Sequence, residues 1–180
     1  PTYIKVEAFE TGADSPPTDW SEVDVSGGTD HDWACSTGNC PLFGSYSFRT
    51  PDPVSGQNKI KLDFGLQDEV WVAFVIYMET APDTASGMFR FRDSTDSDIA
   101  YAEVESAVGS SNLYVATDGG FTQSSSTSQG ISVAGLYYIK FRMKKGTSND
   151  AELEIWVSNN TTAWGTSVSS TDGDVTNQIR

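Results

Sequence analysis

Two acidic residues spaced two apart, Glu152 and Glu154, are the first candidates for chemistry in this sequence. Residues at positions i and i+2 of a strand share a face, so these carboxylates could serve as the acid and nucleophile of a glycoside hydrolase. The basic residues Arg142 and Lys144 give the same carboxylates a simpler role as cross-strand ion-pair partners. The single His31 has no recognisable Ser or Cys partner. We therefore predict no enzyme activity, with a glycan hydrolase or lyase as the weaker alternative.

Acidic residues also cluster in short polar segments, which makes calcium the candidate cofactor. Calcium takes oxygen ligands from loops of this kind, although no segment matches the twelve-residue calcium-binding loop. Solvated acidic turns are the ordinary alternative. The leading candidate metal ligands are Asp93, Asp96 and Asp98; two further clusters contain Asp24, Asp30 and Asp32, and Asp172 and Asp174.

Aromatic residues beside charged ones form a third candidate site. Aromatic rings can stack on the C–H faces of sugars while neighbouring polar groups bind the hydroxyls. The alternative is that these rings pack beneath a covering segment, such as residues 11–41. The predicted ligand-binding residues are Trp156, Tyr138, Lys140, Trp71 and Tyr77.

The two cysteines, Cys35 and Cys40, are separated by Ser-Thr-Gly-Asn, a sequence typical of turns. The spacing is not that of a Cys-x-x-Cys redox motif, and a zinc site would need more ligands. We predict a local disulfide and therefore an oxidising compartment. The overlapping sequons at Asn159 and Asn160 matter only in a secreted eukaryotic protein.

A long strand is predicted to position part of the aromatic site. The apolar run 70–78, bounded by Glu69 and Glu79, is rich in β-branched and aromatic residues, which favours a strand over a helix. Both faces of the run are apolar, with Trp71 and Tyr77 on the same face. We therefore predict a central strand covered on both sides.

A hairpin is predicted to carry the remaining candidate residues. Residues 136–145 and 151–158 alternate between apolar and polar side chains, and the polar residues between them are typical of a turn. Pairing Met143 with Leu153 would also pair Arg142 with Glu154 and Lys144 with Glu152.

Other alternating segments predict shorter strands, and no segment has a convincing helical pattern. We predict strands at residues 3–10, 44–49, 59–64, 87–92, 99–105 and 113–117. Residues 11–41 and the Ser/Thr/Gln-rich residues 119–130 are predicted loops. The prediction is a single all-β domain spanning residues 1–180.

The order of these segments resembles the concanavalin A-like lectin/glucanase superfamily, in particular its laminin-G-like modules. The similarity rests on Phe-Glu-Thr-Gly at residues 9–12, Gly-Ser-Tyr-Ser-Phe-Arg at 44–49, the strand from Val70, Phe-Arg-Phe-Arg-Asp at 89–93 and the hairpin. The resemblance implies a two-sheet antiparallel jelly-roll sandwich, a carbohydrate ligand and calcium. The glucanases of the superfamily carry Glu-x-Asp-x-x-Glu, whereas this chain has Glu154 at the middle position and Val157 at the third acidic position. The catalytic motif is therefore broken.

The family's modules usually continue with one or two strands beyond the position matched by residues 172–180. Two alternatives follow: the last strand is residues 175–180, or the sheet has an open edge that a neighbouring chain completes.

Composition narrows the possible partners. Acidic residues outnumber basic ones by 25 to 11, for a formal charge of −14, which disfavours binding to nucleic acids. No apolar run approaches the roughly 20 residues of a membrane span. We predict a non-catalytic, lectin-like module of an extracellular, secreted or virion-surface protein. The alternative is a structural subunit of a filament, capsid decoration, tail fibre or adhesin.

Overall fold

A computed structural model describes residues 20–25, 32–35, 47–49, 58–77, 86–104, 111–116, 125–131, 135–159, 164 and 167–180. The chain forms two compact units, Pro1–Phe64 and Gly65–Arg180, which are described separately. Every regular element in the described ranges is a strand, and the sheets are antiparallel, which confirms the all-β prediction. The single-domain assignment stays a prediction. The same ranges include no helix long and apolar enough to cross a membrane.

The first unit contains two antiparallel strand pairs. Strand β1 (Trp20–Val25) pairs with β4 (Asn58–Leu62), and β2 (Asp32–Cys35) pairs with β3 (Ser47–Arg49). The prediction of one long loop at 11–41 is therefore wrong at β1 and β2. These short strands are held by backbone pairing with distant partners, so their side chains show little periodicity. The predicted strand at 3–10 lies outside the described residues.

The second unit contains two four-stranded antiparallel sheets. One has the order β12-β11-β10-β5 and the other the order β6-β7-β8-β9. The strands are β5 (Glu69–Tyr77), β6 (Ser86–Arg92), β7 (Asp98–Val104), β8 (Ser111–Ala116), β9 (Ser125–Ile131), β10 (Leu136–Lys144), β11 (Gly146–Ser158) and β12 (Val168–Val175).

The β10–β11 hairpin has the predicted register. Met143 lies opposite Leu153, and the charged neighbours Arg142 and Lys144 lie opposite Glu154 and Glu152. Asn149 closes the turn with a positive φ of 57°, a conformation that asparagine tolerates better than most residues. Gly146 is required at its position, since an added Cβ would clash with the backbone nitrogen of Ala151. Local alternation and turn chemistry therefore set this part of the fold.

The hairpin buries the predicted face. Its inward residues are Tyr137, Ile139, Phe141, Met143, Leu153, Ile155 and Val157. Phe141 stacks against Phe89 of β6, with ring centroids 4.8 Å apart, and Phe89 also stacks on Phe74 of β5. Aromatic contacts therefore join the apolar faces of the two sheets.

Strand β5 differs from its prediction. It occupies an end of its four-stranded sheet among the described strands, whereas a central position was predicted. Its inward face carries buried Val70, but Trp71 is 54% exposed and Ala73 is also exposed. The prediction that both faces are covered is wrong because the apolar residues Trp71 and Ala73 lie on an exposed surface.

Two serine- and threonine-rich strands were also missed. Strand β9 lies within the predicted loop 119–130 and extends to Ile131, and β12 was not predicted at all. Strand β9 pairs with β8 and β12 pairs with β11, and the register shifts within both pairings. Backbone hydrogen bonds stabilise such strands without a regular apolar pattern.

The segment after β12 closes one end of this unit. Ile179 is fully buried and forms antiparallel bridges with both Gln67 and Asp93. The backbone nitrogen of Arg180 also donates to the oxygen of Arg92 at 2.8 Å. The predicted last strand at 175–180 is therefore wrong: the strand ends at Val175, and an isolated pair of bridges follows.

Candidate aromatic and charged site

The outward face of β5, β10 and β11 brings the main candidate residues into two neighbouring rows. In one row, Arg142 of β10 lies between Trp71 of β5 and Glu154 of β11. In the next, Lys140 lies between Ala73 and Trp156. Because side chains two apart on a strand share a face, both rows project from the same surface.

Trp71 and Trp156 stack across the strand that separates them. Their ring centroids are 5.6 Å apart and the ring planes differ by 23°. Backbones two strands apart are separated by about 9–10 Å, so the indoles must lean towards each other over β10. Stacked aromatic pairs contribute about 0.5–1.5 kcal/mol beyond their burial. Trp71 is 54% exposed, so the pair presents apolar ring surface to solvent.

The ammonium group of Lys140 lies among three indole rings. Its Nζ is 4.1 Å from the ring centroid of Trp156, 4.9 Å from that of Trp164 and 5.6 Å from that of Trp71. These distances are in the range of cation–π attraction. In the part of the chain that the structure describes, Lys140 Nζ has no hydrogen bond or ion pair.

Arg142 has the opposite environment, since three carboxylates surround it. Its Nε donates to Glu69 Oε1 at 2.7 Å, and one terminal nitrogen contacts both Glu154, at 3.0 Å, and Glu152. The guanidinium carbon is also 5.4 Å from the Trp71 ring centroid. Arg142 therefore ties all three strands together beside the indole stack.

The Arg142 network also fixes the tryptophan ring. Glu69 Oε1 accepts a hydrogen bond from Trp71 Nε1 at 3.1 Å as well as the one from Arg142. The hydrogen bond from Arg142 lowers the pKa of Glu69, and the bond to Glu69 raises the pKa of Arg142. Both groups therefore carry their charges at neutral pH.

Glu152 and Glu154 form ion pairs with Arg142 and Lys144, as their predicted positions in the hairpin indicated. Lys144 Nζ lies 3.1 Å from Glu152 Oε1, and Arg142 contacts both carboxylates. The hydrogen bond from Lys144 lowers the pKa of Glu152, with a smaller contribution from Arg142. A general acid of a glycosidase needs a raised pKa, whereas the ion pairs of Glu152 shift its pKa in the opposite direction.

The two predicted tyrosines share the outward face but not the cluster. Tyr138 lies opposite Val75 and Ser158, and Tyr77 lies opposite Leu136 at the end of β5. Both are half-buried, and within the described ranges neither ring contacts the indoles. The structure thus brings together Trp71, Lys140 and Trp156 and leaves the tyrosines at the margin.

Two participants were not identified from the sequence. Trp164 lies outside any strand, so the alternation of side chains along strands does not predict its contact with Lys140. The sequence marks Glu69 only as the boundary of an apolar run, whereas in the structure it contacts both Arg142 and Trp71. The isolated tryptophan in a Thr- and Gly-rich segment was the available signal for Trp164.

The acidic turn between β6 and β7 is held together by hydrogen bonds and ion pairs. Asp93 Oδ1 accepts from both the backbone nitrogen and hydroxyl of Thr95 and from the backbone nitrogen of Ser97, while Oδ2 accepts from Asn177 at 2.8 Å. Asp98 pairs with Arg90 and Arg92, and Asp96 pairs with Arg92 at 3.3 Å. Asp96 also has a positive φ of 66°, which helps to close the turn.

This arrangement does not favour calcium at Asp93, Asp96 and Asp98. Nitrogen and hydroxyl donors already take both oxygens of Asp93, and arginines pair with the other two carboxylates. Across the described ranges, no group of three or more acidic, histidine or cysteine side chains is arranged to hold a metal ion. Calcium binding by this chain stays a prediction.

Some predicted features lie outside the described residues. Cys35 ends β2 and pairs with Ser47, but Cys40 falls in an undescribed segment, so the disulfide stays a prediction. His31 and Asn160 are also outside the described ranges, whereas Asn159 is exposed after β11.

Comparisons of this chain with protein-family models, with curated proteins and with solved structures found no match. The resemblance to laminin-G-like modules therefore rests on strand order and short sequence phrases, and it stays a prediction. We base the functional proposal on the contacts of Trp71, Lys140 and Trp156.

Proposed function

We propose that this chain is a non-catalytic, lectin-like module that binds carbohydrate on the outward face of β5, β10 and β11. The observation that carries the proposal is the Trp71–Trp156 stack, exposed at Trp71 and bordered by Lys140. An apolar ring surface beside charged groups matches the amphipathic character of a sugar. The ring binds the C–H face, and the charged groups bind hydroxyls or other polar substituents.

The charged network supports binding because it holds the platform in place before a ligand arrives. Arg142 contacts Trp71 and binds Glu69, which in turn accepts from the Trp71 indole. A ligand then pays less conformational entropy to order the side chains that it contacts. Because two stacked indoles supply the apolar surface, we expect weak binding to a single sugar chain, on the order of millimolar to micromolar.

A jelly-roll sandwich is the fold that we propose for the platform. Phe89 of one sheet stacks against Phe74 and Phe141 of the other, and strands β8 and β9 approach β11 and β12. These contacts support a sandwich in which the two sheets pack face to face. An extracellular or virion-surface location is part of the same proposal and is consistent with the acidic composition.

Assembly of a filament, capsid decoration, tail fibre or adhesin is the second candidate function. Among the described strands, β5 has a neighbour on one side, so its other side is an edge of the sheet. Trp71 on this strand is exposed. Another copy of the chain could add a strand at the β5 edge, or it could bury the indoles on the outward face beside that edge.

Glycan-array binding tests the proposal, run with calcium and again with chelator. We expect specific binding that is lost in Trp71→Ala and Trp156→Ala but kept in Leu66→Ala, another exposed apolar residue in the same unit. Binding that is lost in chelator would show that the site requires calcium. Binding that is unchanged in chelator would show that it does not. Folded wild-type protein that binds no glycan but self-associates with rising concentration would replace the proposal with assembly.

A further inference from the structure

Lys140 differs from Arg142 and Lys144 on the outward face because none of the described carboxylates neutralises its charge. Arg142 contacts Glu69, Glu152 and Glu154, and Lys144 contacts Glu152. Lys140 Nζ instead lies among the rings of Trp156, Trp164 and Trp71, without a hydrogen bond or ion pair to the described residues.

The rings leave the ammonium group with binding capacity. An ammonium has three N–H donors, whereas the face of an indole attracts the charge without accepting a conventional hydrogen bond. Lys140 is also half-buried, so fewer water molecules surround it than surround a fully exposed lysine. An anionic group that replaced the remaining water would form charge-assisted hydrogen bonds, which are stronger than neutral ones.

We infer that the indole platform selects acidic saccharides: a sugar ring stacks on Trp71 or Trp156, and its carboxylate or sulfate group binds Lys140 Nζ. This inference rests on the proposed carbohydrate-binding function and names the class of sugar. A neutral sugar would leave the Lys140 donors to water, whereas an acidic one satisfies them.

The strongly acidic protein does not prevent this selection. Its formal charge is −14, which opposes the approach of an anion at low salt. At physiological ionic strength the Debye length is about 8 Å, so distant carboxylates are largely screened and the nearest charges dominate. The charges beside the platform balance, since three carboxylates, those of Glu69, Glu152 and Glu154, face three cations, those of Arg142, Lys144 and Lys140.

Calorimetric titration with three matched ligands tests the inference. The first is a uronate tetrasaccharide, the second is the same tetrasaccharide with its carboxyl groups reduced to alcohols, and the third is the reduced form carrying sulfate. The wild-type chain is compared with Lys140→Met, Lys140→Arg and Lys144→Met. Lys144→Met removes the same charge from the same face and so controls for net charge.

We expect the wild-type chain to bind at least one acidic ligand about tenfold more tightly than the reduced one. Lys140→Met should lose this preference and bind the acidic and reduced ligands with equal affinity, whereas Lys140→Arg and Lys144→Met should keep it. The tighter of the uronate and sulfate ligands identifies the anion. Equal wild-type affinity for all three ligands, or a preference that survives in Lys140→Met, overturns the inference but leaves carbohydrate binding standing. If folded wild-type protein binds none of the ligands and no glycan on the array, both proposals fail.

Discussion

Arg142 on β10 donates from Nε to Glu69 Oε1 on β5 at 2.7 Å, across strands that are neighbours in the sheet but 73 residues apart in sequence. The same guanidinium also binds Glu152 and Glu154 on β11. A single side chain therefore crosslinks three strands on the face that carries the tryptophan stack.

Replacing Arg142 with methionine should destabilise the protein by about 1–3 kcal/mol, because three carboxylates lose their shared partner and then repel one another. Urea unfolding followed by circular dichroism measures the change. The control is Lys145→Met, which removes the ion pair with Asp68, whose side chain is 64% exposed. That variant should lose much less stability, because water screens an ion pair to so exposed a carboxylate. Equal losses in the two variants would contradict the crosslinking role.

Asp93 should make stability depend on pH below about 4. Burial would raise the pKa of its carboxyl group, but hydrogen bonds from Asn177, Thr95 and Ser97 outweigh burial and lower the pKa from 3.8 to about 2. A carboxyl group whose pKa is depressed by folding stabilises the protein above its unfolded-state pKa and loses that contribution as pH falls through the folded-state value. The contribution is on the order of 2 kcal/mol.

The variant Asp93→Asn separates this contribution from other acid effects. The wild-type protein should be the more stable at pH 7, and its advantage should shrink between pH 4 and pH 2 as Asp93 takes up a proton. Unfolding free energies measured at both ends of this range test the prediction. An advantage that stays constant across the range would show that ionised Asp93 is not the source.

Ile179→Ala should cost about 2–5 kcal/mol, as is usual when a large buried aliphatic side chain is truncated. Ile179 is fully buried and its backbone bridges Gln67 and Asp93. Thermal unfolding measures the loss, with the exposed Thr176→Ala as the control. A loss below about 1 kcal/mol for Ile179→Ala would mean that this segment does not close the core.

Gly146→Ala should lower the free energy of unfolding of the protein more than Gly65→Ala does. An added Cβ at Gly146 would clash with the backbone nitrogen of Ala151, whereas an added Cβ at Gly65 would meet nothing within 4 Å. Gly65 has a positive φ of 77°, so its replacement costs about 1 kcal/mol of backbone strain. Unfolding of both variants in urea should show the larger loss at Gly146, and the reverse order would refute the close approach.

The candidate site could be predicted in part because some of its members share strands that alternate cleanly. Lys140 and Trp156 were assigned to the outward face, and the structure places them opposite each other. Trp164 and Glu69 were missed because neither belongs to a repeating pattern that points to the site. Tyr138 and Tyr77 share the predicted face, but a shared face does not determine whether rings touch.

The all-β class, the β10–β11 register and the inward apolar face of that hairpin follow from the amino-acid pattern alone. These features depend on a period of two residues and on turn chemistry, both of which act over a few neighbouring positions. Long-range contacts place β5 at the end of its sheet among the described strands, pair β9 and β12 as strands and let Ile179 bridge Gln67 and Asp93. They also bring three indoles together at Lys140. Such features depend on backbone pairing and ring packing between segments far apart in the chain, which leave no periodic pattern in the local sequence.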